Sequence, residues 1–403
     1  MAERDGTVLG QAVQAALLDD PGFLRGLVRG ALQTILEAEM TAHLGAEPYE
    51  RGPERTGHRN GAKPRSLHTR VGTIELRVPQ DRAGTFSTEL FARYQRSEQA
   101  LVLGLMEMYL QGVSTRKVTA ITEELCGTSF SKSQVSALAG KLDSELAAWR
   151  GRPLTLAYPY LSVDARYEHV RIEGRVVSQG VLLVAGVRED GRREILAVEV
   201  ADTESEATYQ DLFRSLKARG LRGVVLVTSD DHAGLRAAIG RHFQGASWQR
   251  CQVHFARNLA GLVGSKYRAR LADDLRAIFA APDATQARSQ ARTGAERWRR
   301  SHPAVAAQLE EELEECLACY EVPAAHRVRV RTTNGLERFN QELKRRTRVV
   351  RIFPHRASLL RLVTALAMEQ SEEWVSGRRY LDMDLLWEEQ PRPPAAAPVT
   401  AAA

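Results

Sequence analysis

From about residue 151 the hydrophobic pattern of this chain stops repeating every three to four residues. It becomes a series of short apolar runs separated by amphipathic helical segments. No other feature limits the fold as strongly, because a two-residue period and a 3.6-residue period bury different sets of side chains. Strands are expected at 160–165, 179–188, 193–201, 223–229 and 247–252, and helices at 205–219 and 233–243. Two apolar runs close on aspartate: Asp164 in YPYLSVDARYEHVR and Asp230 in GVVLVTSDDHAGL.

Three strands in succession, then helix and strand in alternation, describe a ribonuclease-H-like mixed sheet. The expected fold is therefore α/β, with residues 151–255 forming the first part of the core. The first and fourth strands are neighbours in such a sheet, so Asp164 would end one and Asp230 the next. Ligands gather at the carboxyl ends of strands at a sheet centre. Residues 256–325 are rich in Ala, Arg, Leu and Glu, carry no credible strand, and read as an all-helical insertion. Helix returns at 333–347 and 355–376, so 326–380 reads as the second part of the core. Glu337 lies early in the first of these helices, in TTNGLERFNQELKRR. The tail, 381–403, is Pro- and Ala-rich at its end and reads as disordered.

The N-terminal region reads as α-rich. Residues 1–46 form a helical segment in which Phe23, Leu24, Leu27, Leu32, Ile35 and Leu36 recur at helical spacing. Residues 47–96 combine a Gly-, Pro- and Arg-rich extended arm with a short hairpin in TRVGTIELRVPQDR. Residues 97–150 have helix-turn-helix logic: Ser114 caps a first helix, Gly127 breaks it, and Ser131 caps a second with Lys132 and Gln134 facing outward. Such a helix suits the major groove. An ordinary capped helical hairpin would share the pattern.

Charge sharpens the reading. The net charge is +6, and Arg outnumbers Lys. Composition alone fits an arginine-rich solvated surface as well as a nucleic-acid partner. The distribution favours the partner. Residues 51–96 carry ten Arg or Lys against four acids, and 327–351 carry nine against two, Glu337 and Glu342. Candidate DNA contacts are Arg59, Lys63 and Arg65 in the arm, Arg116, Lys117, Lys132 and Gln134 in the helix pair, and Arg338, Arg345 and Arg346 beside Glu337. Four cysteines in 403 residues make no disulfide framework. MAERDGTVLG is not a signal peptide, and no apolar run reaches the ~18 residues of a membrane span. A cytoplasmic protein with no membrane association is expected.

Two strand-end aspartates and a helical glutamate can converge on two Mg²⁺ ions, with Mn²⁺ tolerated, because hard cations take oxygen ligands. Two such ions clamp the attacking and leaving oxygens of a phosphodiester. Asp164, Asp230 and Glu337 are thus the candidate catalytic and metal-binding residues. Lys344 lies two helical turns past Glu337, where it could hold a phosphate, and Asn334 opens the same helix. Taken singly, an aspartate after a strand is more often a turn former, and Glu337 could be a surface ion-pair partner. Cys251 and His254 form a C-x₂-H pair, half of a zinc site by spacing. Cys316 and Cys319 could supply the other half, but ECLACY reads as buried helix. Trp248 reads as core. Trp298, among arginines, reads as packing with base stacking as the alternative.

These motifs carry a resemblance. VGTIELRVPQDRAGTF, YLQGVSTRKV, the run around Asp164, LFRSLKARGLRGVVLVTSDDHAGLRAAI, WQRCQVHFARNL and TTNGLERFNQELKRRTRVVRIFP occur in the order found in the bacterial mutator-type insertion-sequence transposases. The chain from about 70 to 370 resembles that family. The resemblance implies a DDE site on a ribonuclease-H-like fold, with Asp164, Asp230 and Glu337 at the matching positions and a helical insertion before the glutamate. It implies Mg²⁺-dependent cutting and joining of element ends without a covalent protein–DNA link, by a copy-out, paste-in route. Asp231 stands where the family usually has Gly; the motif register points to Asp230 as ligand and Asp231 as the cap of the next helix. Cys251 and His254 match a C-or-D-x₂-H motif that supports the active site. Expected partners are double-stranded DNA, both terminal inverted repeats and target, and a second copy of the chain, since two ends are cut in concert. A non-catalytic DNA-binding regulator, or a nuclease that cuts without joining, would share parts of this pattern.

Overall fold

The computed structural model describes residues 21–50, 52, 55–69, 72–88 and 140–391. It divides into two compact units, Met1–Lys141 and Leu142–Ala403. The first holds helix α1 (Pro21–Leu44) and the antiparallel hairpin β1 (Arg59–Thr69) and β2 (Gly72–Asp81). The stretch expected as an extended arm is thus half a hairpin: its residues from Arg59 pair with β2 through Thr69↔Gly72. Leu67, Ile74 and Leu76 bury one face of the hairpin against Leu36, with Leu32 and Val28 alongside. The helix stripe therefore runs Val28–Leu32–Leu36. Leu27 and Ile35, expected inside, are 59% and 44% exposed, because only a one-sided contact is available. Gln33 fastens the helix to the edge of β2 by donating to the Arg77 carbonyl (2.8 Å) and accepting the Arg77 N–H (3.0 Å). The expected helix-turn-helix, with Arg116, Lys117, Lys132 and Gln134, lies outside the described residues apart from its last ten or so positions.

The second unit begins with α2 (Asp143–Gly151) and is built on a five-stranded mixed sheet: β3 (Tyr160–Ile172), β4 (Arg175–Val187), β5 (Arg193–Ala201), β6 (Leu226–Ser229) and β7 (Ser247–Arg250), in the order β5-β4-β3-β6-β7. β3, β4 and β5 are antiparallel; β6 and β7 join β3 in parallel. The parallel strands are reached by crossovers through α3 (Glu206–Ala218) and α4 (Ala233–His242), which Ser205 and His232 cap by accepting backbone N–H groups.

Strand alternation decides which side chains face which layer. Leu161 and Val163 join Leu182, Val184 and Leu196 in a core beneath Tyr209, Leu212, Phe213 and Leu216 of α3 and Leu235 and Ile239 of α4. Burying a side chain such as Phe213 stabilises by about 1.5–3 kcal/mol. Tyr160, Ser162 and Asp164 must then point to the opposite face.

Residues 252–330 contain helices α5 (Gln252–Gly261), α6 (Ser265–Phe279), α7 (Ala284–Arg299), α8 (Pro303–Glu311) and α9 (Ala324–Val330), with no strand. They share their own core around Phe255, Leu271, Ile278, Trp298 and Leu309. ECLACY is buried as expected but forms two 3₁₀ turns, Leu313–Cys316 and Ala318–Glu321, rather than an α-helix. The long helices α10 (Asn334–Val350) and α11 (Arg356–Ser376) follow. α11 packs on β5, where the Ile195 N–H donates to Ser371 Oγ at 3.0 Å.

Residues 381–391 are ordered, against expectation. Leu381, Met383 and Leu386 of the segment leading into α12 (Asp384–Glu389) are buried with Tyr160 and Val187. The N–H groups of Tyr380 and Leu381 donate to the Gly191 carbonyl at 2.8 and 3.1 Å. Gly191 has φ 83, and a Cβ there would fall on the Leu381 carbonyl oxygen, so only glycine admits this contact. Among the described residues no helix is long and apolar enough to cross a membrane.

Candidate active site

Asp164 does not end its strand. β3 continues eight residues further as the antiparallel partner of β4, to Ile172↔Arg175. The apolar run stops at Asp164 because one face of the strand turns polar there, not because the backbone leaves the sheet. The parallel pairing with β6 does stop, at Ser162↔Thr228. Asp164 thus lies in the notch beyond the carboxyl end of β6, and Asp230 immediately follows that strand. Alternation turns both toward the face covered by α10.

Three side chains tie the carboxylates together. Asn340 of α10 donates from Nδ2 to Asp164 Oδ2 at 2.7 Å. His254 of α5 places Nδ1 2.5 Å from Asp230 Oδ1 and Nε2 3.5 Å from Glu337 Oε1. Arg257, one turn further along α5, reaches Glu337 Oε1 at 3.2 Å. Asp164 is nearly buried, while Asp230 is 46% exposed and Glu337 24%. The site is therefore dry at the β3 side and open at the β6 side.

Burial raises the Asp164 carboxyl to about 6; His254 opposes this, and the charges of Asp230 and Glu337 add to it. Burial works against a charged His254, yet hydrogen bonding to Asp230 and Cys251 outweighs it and lifts the imidazole to about 10. Cys251 is fully buried at the start of α5, and both the N–H and the hydroxyl of Thr333 donate to its Sγ at 3.4 Å. It is a packed residue that links α5 to the entry of α10.

The donor chemistry fits hard divalent cations: three carboxylates, with the buried Asn340 Oδ1 left without a partner beside them. The arrangement differs from the expected convergence on two ions. Among the described residues no three His, Cys, Asp or Glu side chains are placed around one point to hold a metal. His254 stands between Asp230 and Glu337 and offsets their charge.

The remaining residues fall in several places. Asp231 does not cap α4, a task taken by His232; it pairs instead with Arg236 (3.2 Å) and the buried Arg250 (3.4 Å), which also binds Glu312 and Glu315. A carboxylate beside two arginines is drawn away from the site. Lys344 is exposed on α10. Asn334 lines a different cavity of about 400 Å³ between α5, α6 and α9. Arg338 is exposed, whereas Arg345 and the buried Arg346 both bind Glu342, whose carboxyl the Arg345 hydrogen bond in particular holds near 2. Arg59 pairs with Glu37 at 2.9 Å, Lys63 is exposed and Arg65 half-buried. Trp298 is buried and donates to Asp274 Oδ2 at 2.8 Å, which settles it as packing; Trp248 is partly buried and donates to Ser229 Oγ. Asn340 and Arg257 were missed in the sequence, although each sits one helical turn from a candidate, Glu337 and His254, on the same face.

The family described as "Transposase, Mutator family" matches residues 1–377. The transposase for insertion sequence element ISRM5 of Rhizobium meliloti (strain 1021) is 50% identical over 388 residues, covering 96% of this chain and 98% of that protein. The transposase for insertion sequence element IS406 of Burkholderia multivorans (strain ATCC 17616 / 249) is 45% identical, covering 95% of this chain and all of that protein. Among solved structures, the Drosophila P element transposase strand transfer complex matches 74% of this chain and 83% of that one at 10% identity. Its TM-score of 0.29 is too low to carry an argument. With a family match over nearly its whole length and relatives at half identity, this chain belongs to the mutator family of transposases.

Proposed function

We propose that the chain is an active DDE transposase on a ribonuclease-H-like core, binding terminal inverted repeats and catalysing cleavage and strand transfer of an insertion sequence. The observation that carries this is the bridge across the sheet: His254 spans Asp230 and Glu337 while Asn340, on the same helix as Glu337, holds Asp164. The strand order and two parallel crossovers support the fold assignment. Asp164, Asp230 and Glu337 would hold two Mg²⁺ ions, with Mn²⁺ tolerated, supplying charge neutralisation and nucleophile activation when bound.

The protein's own groups orient and exclude. Asn340 fixes one Asp164 oxygen. Burial of Asp164 keeps water from one side of the site. His254 holds Asp230 and Glu337 in mutual register, and Lys344 offers an exposed cation on the Glu337 face of α10. Water would attack the phosphodiester at an element end and release a 3′-hydroxyl, which would attack a phosphodiester of a second strand. Repeat recognition is assigned to the N-terminal region, and a dimer or larger assembly brings two ends together in the cytoplasm, at the nucleoid.

The test is a paired cleavage, strand-transfer and binding assay with candidate terminal repeats. Asp164→Asn and Glu337→Gln should lose both reactions and keep duplex binding. Wild-type cleavage by both variants would leave a DNA-binding regulator or a different active site. Cleavage without joining by the unaltered chain would point to a nuclease.

A further inference from the structure

Three arginines beside the amino end of α10 have no acidic partner. Arg193 begins β5, Arg329 lies on α9 and Arg338 on α10. No hydrogen bond or ion pair engages any of their guanidinium groups among the described residues, unlike Arg152, Arg188, Arg250 and Arg361 of the same unit, which all bind carboxylates. The Arg193 guanidinium is instead stacked between two rings, 4.2 Å from the Trp374 centroid and 4.1 Å from that of Tyr380. Arg329 lies 5.2 Å from the same Tyr380 ring. Burial depresses the Arg193 pKa; Tyr380 and Glu373 oppose this, while the charges of Arg329 and Arg338 add to it. Glu373, the acid in that balance, accepts a hydrogen bond from Gln370 at 2.7 Å.

Bringing like charges together without a counterion costs energy in the free protein, and an anion held by Arg193 and Arg329 recovers it. Stacking holds the Arg193 fork in place, so less entropy is lost when it binds. The gap beside Arg193 and Arg329 is small. The cavity lined by Arg193, Arg329, Gly335, Trp374 and Tyr380 measures about 30 Å³, room for one water or one phosphate oxygen but not for a base. Ser162 and Thr228 close its floor, each two residues before a candidate catalytic aspartate, and Gly335 lies two residues before Glu337.

We propose that Arg193 and Arg329 grip the phosphodiester backbone of DNA beside the carboxylate cluster, with Arg193 as the fixed element. This rests on the reading of the chain as a DNA-handling enzyme, and it concerns binding rather than chemistry. The grip reads no bases and sets the position of the strand relative to Asp164 and Glu337.

The test uses the full chain without divalent metal and a labelled random-sequence duplex, with anisotropy followed through a salt titration. Arg193→Gln and Arg329→Gln should each weaken binding and flatten the slope of log affinity against log salt by about 0.9 for every phosphate no longer neutralised. Arg193→Lys should keep the slope but bind more weakly, because the charge remains and the stacked fork is gone. Arg214→Gln, an exposed arginine on α3, should change neither. Unaltered slope and affinity in the folded double Gln variant would overturn the proposal. So would an unaltered DNA slope combined with a loss of thermal stabilisation by inorganic phosphate, which would place a free phosphate there. Cleavage surviving in Asp164→Asn would defeat the proposed chemistry and leave this result standing.

Discussion

Asp230 and Asp231 are adjacent, and the structure gives them opposite surroundings, so exchanging each for asparagine separates chemistry from scaffold. Asp230 is 46% exposed and pairs with His254. An ion pair that open contributes about 0–1 kcal/mol. Asp231 pairs with Arg236, itself 43% exposed, and with Arg250, which keeps Glu312 and Glu315 when Asp231 is neutralised. Its loss should also cost about 1 kcal/mol. Either change lowers the melting midpoint by about 2–4 °C at most for a unit of this size. Activity should divide sharply. Asp230→Asn removes an anionic oxygen from the carboxylate cluster and should slow cleavage at least ~10²-fold, about 2.7 kcal/mol of transition-state stabilisation. Asp231→Asn should stay within about threefold, or about 0.7 kcal/mol. Single-turnover cleavage of end-labelled DNA, with thermal melts of the same preparations, measures both. If Asp231→Asn lost as much activity as Asp230→Asn, or Asp230→Asn kept half of it, the assignment of the second aspartate would be wrong.

Two further outcomes are expected. Trp298→Ala should destabilise by about 3–5 kcal/mol in urea unfolding, as expected for a fully packed aromatic, while the folded fraction binds DNA as before; weaker DNA binding with unchanged stability would restore the stacking role. Asp81 accepts the Phe86 N–H and both the N–H and hydroxyl of Thr85, bonds that, led by Phe86, hold its carboxyl near 2 against the opposing effect of burial. A depressed folded-state pKa stabilises above the ordinary value of 3.8, and that stabilisation disappears as pH falls toward 2. Asp81→Asn should therefore lower the melting midpoint at neutral pH, and the gap to the unaltered chain should narrow through that acidic window. A gap independent of pH would show that shape, not charge, is what Asp81 supplies.

What the sequence determined by itself was the order of elements and a set of candidate acids. Periodicity is a local property: 193–201 and 233–243 could be read from their own side chains, the first as a short apolar run buried on both faces and the second as a helix with one buried stripe. Asp164, Asp230 and Glu337 could be named because apolar runs end at the first two and a basic helix begins around the third. Only the tertiary structure decided what the acids meet. The length of β3 depended on β4, a partner that lets a strand go on after its apolar run has ended. His254 reached Asp230 and Glu337 because α5 turns back across the end of β6, and Asn340 reached Asp164 because α10 lies over that face; both contacts join residues far apart in the chain. The ordering of Leu381 to Leu386 likewise came from a groove beside Tyr160 and Val187 that no local pattern in the tail announces. Hydrophobic period is written in neighbouring residues, whereas charge pairing and burial depend on which distant segment arrives opposite, and that is set by the packing of the whole unit.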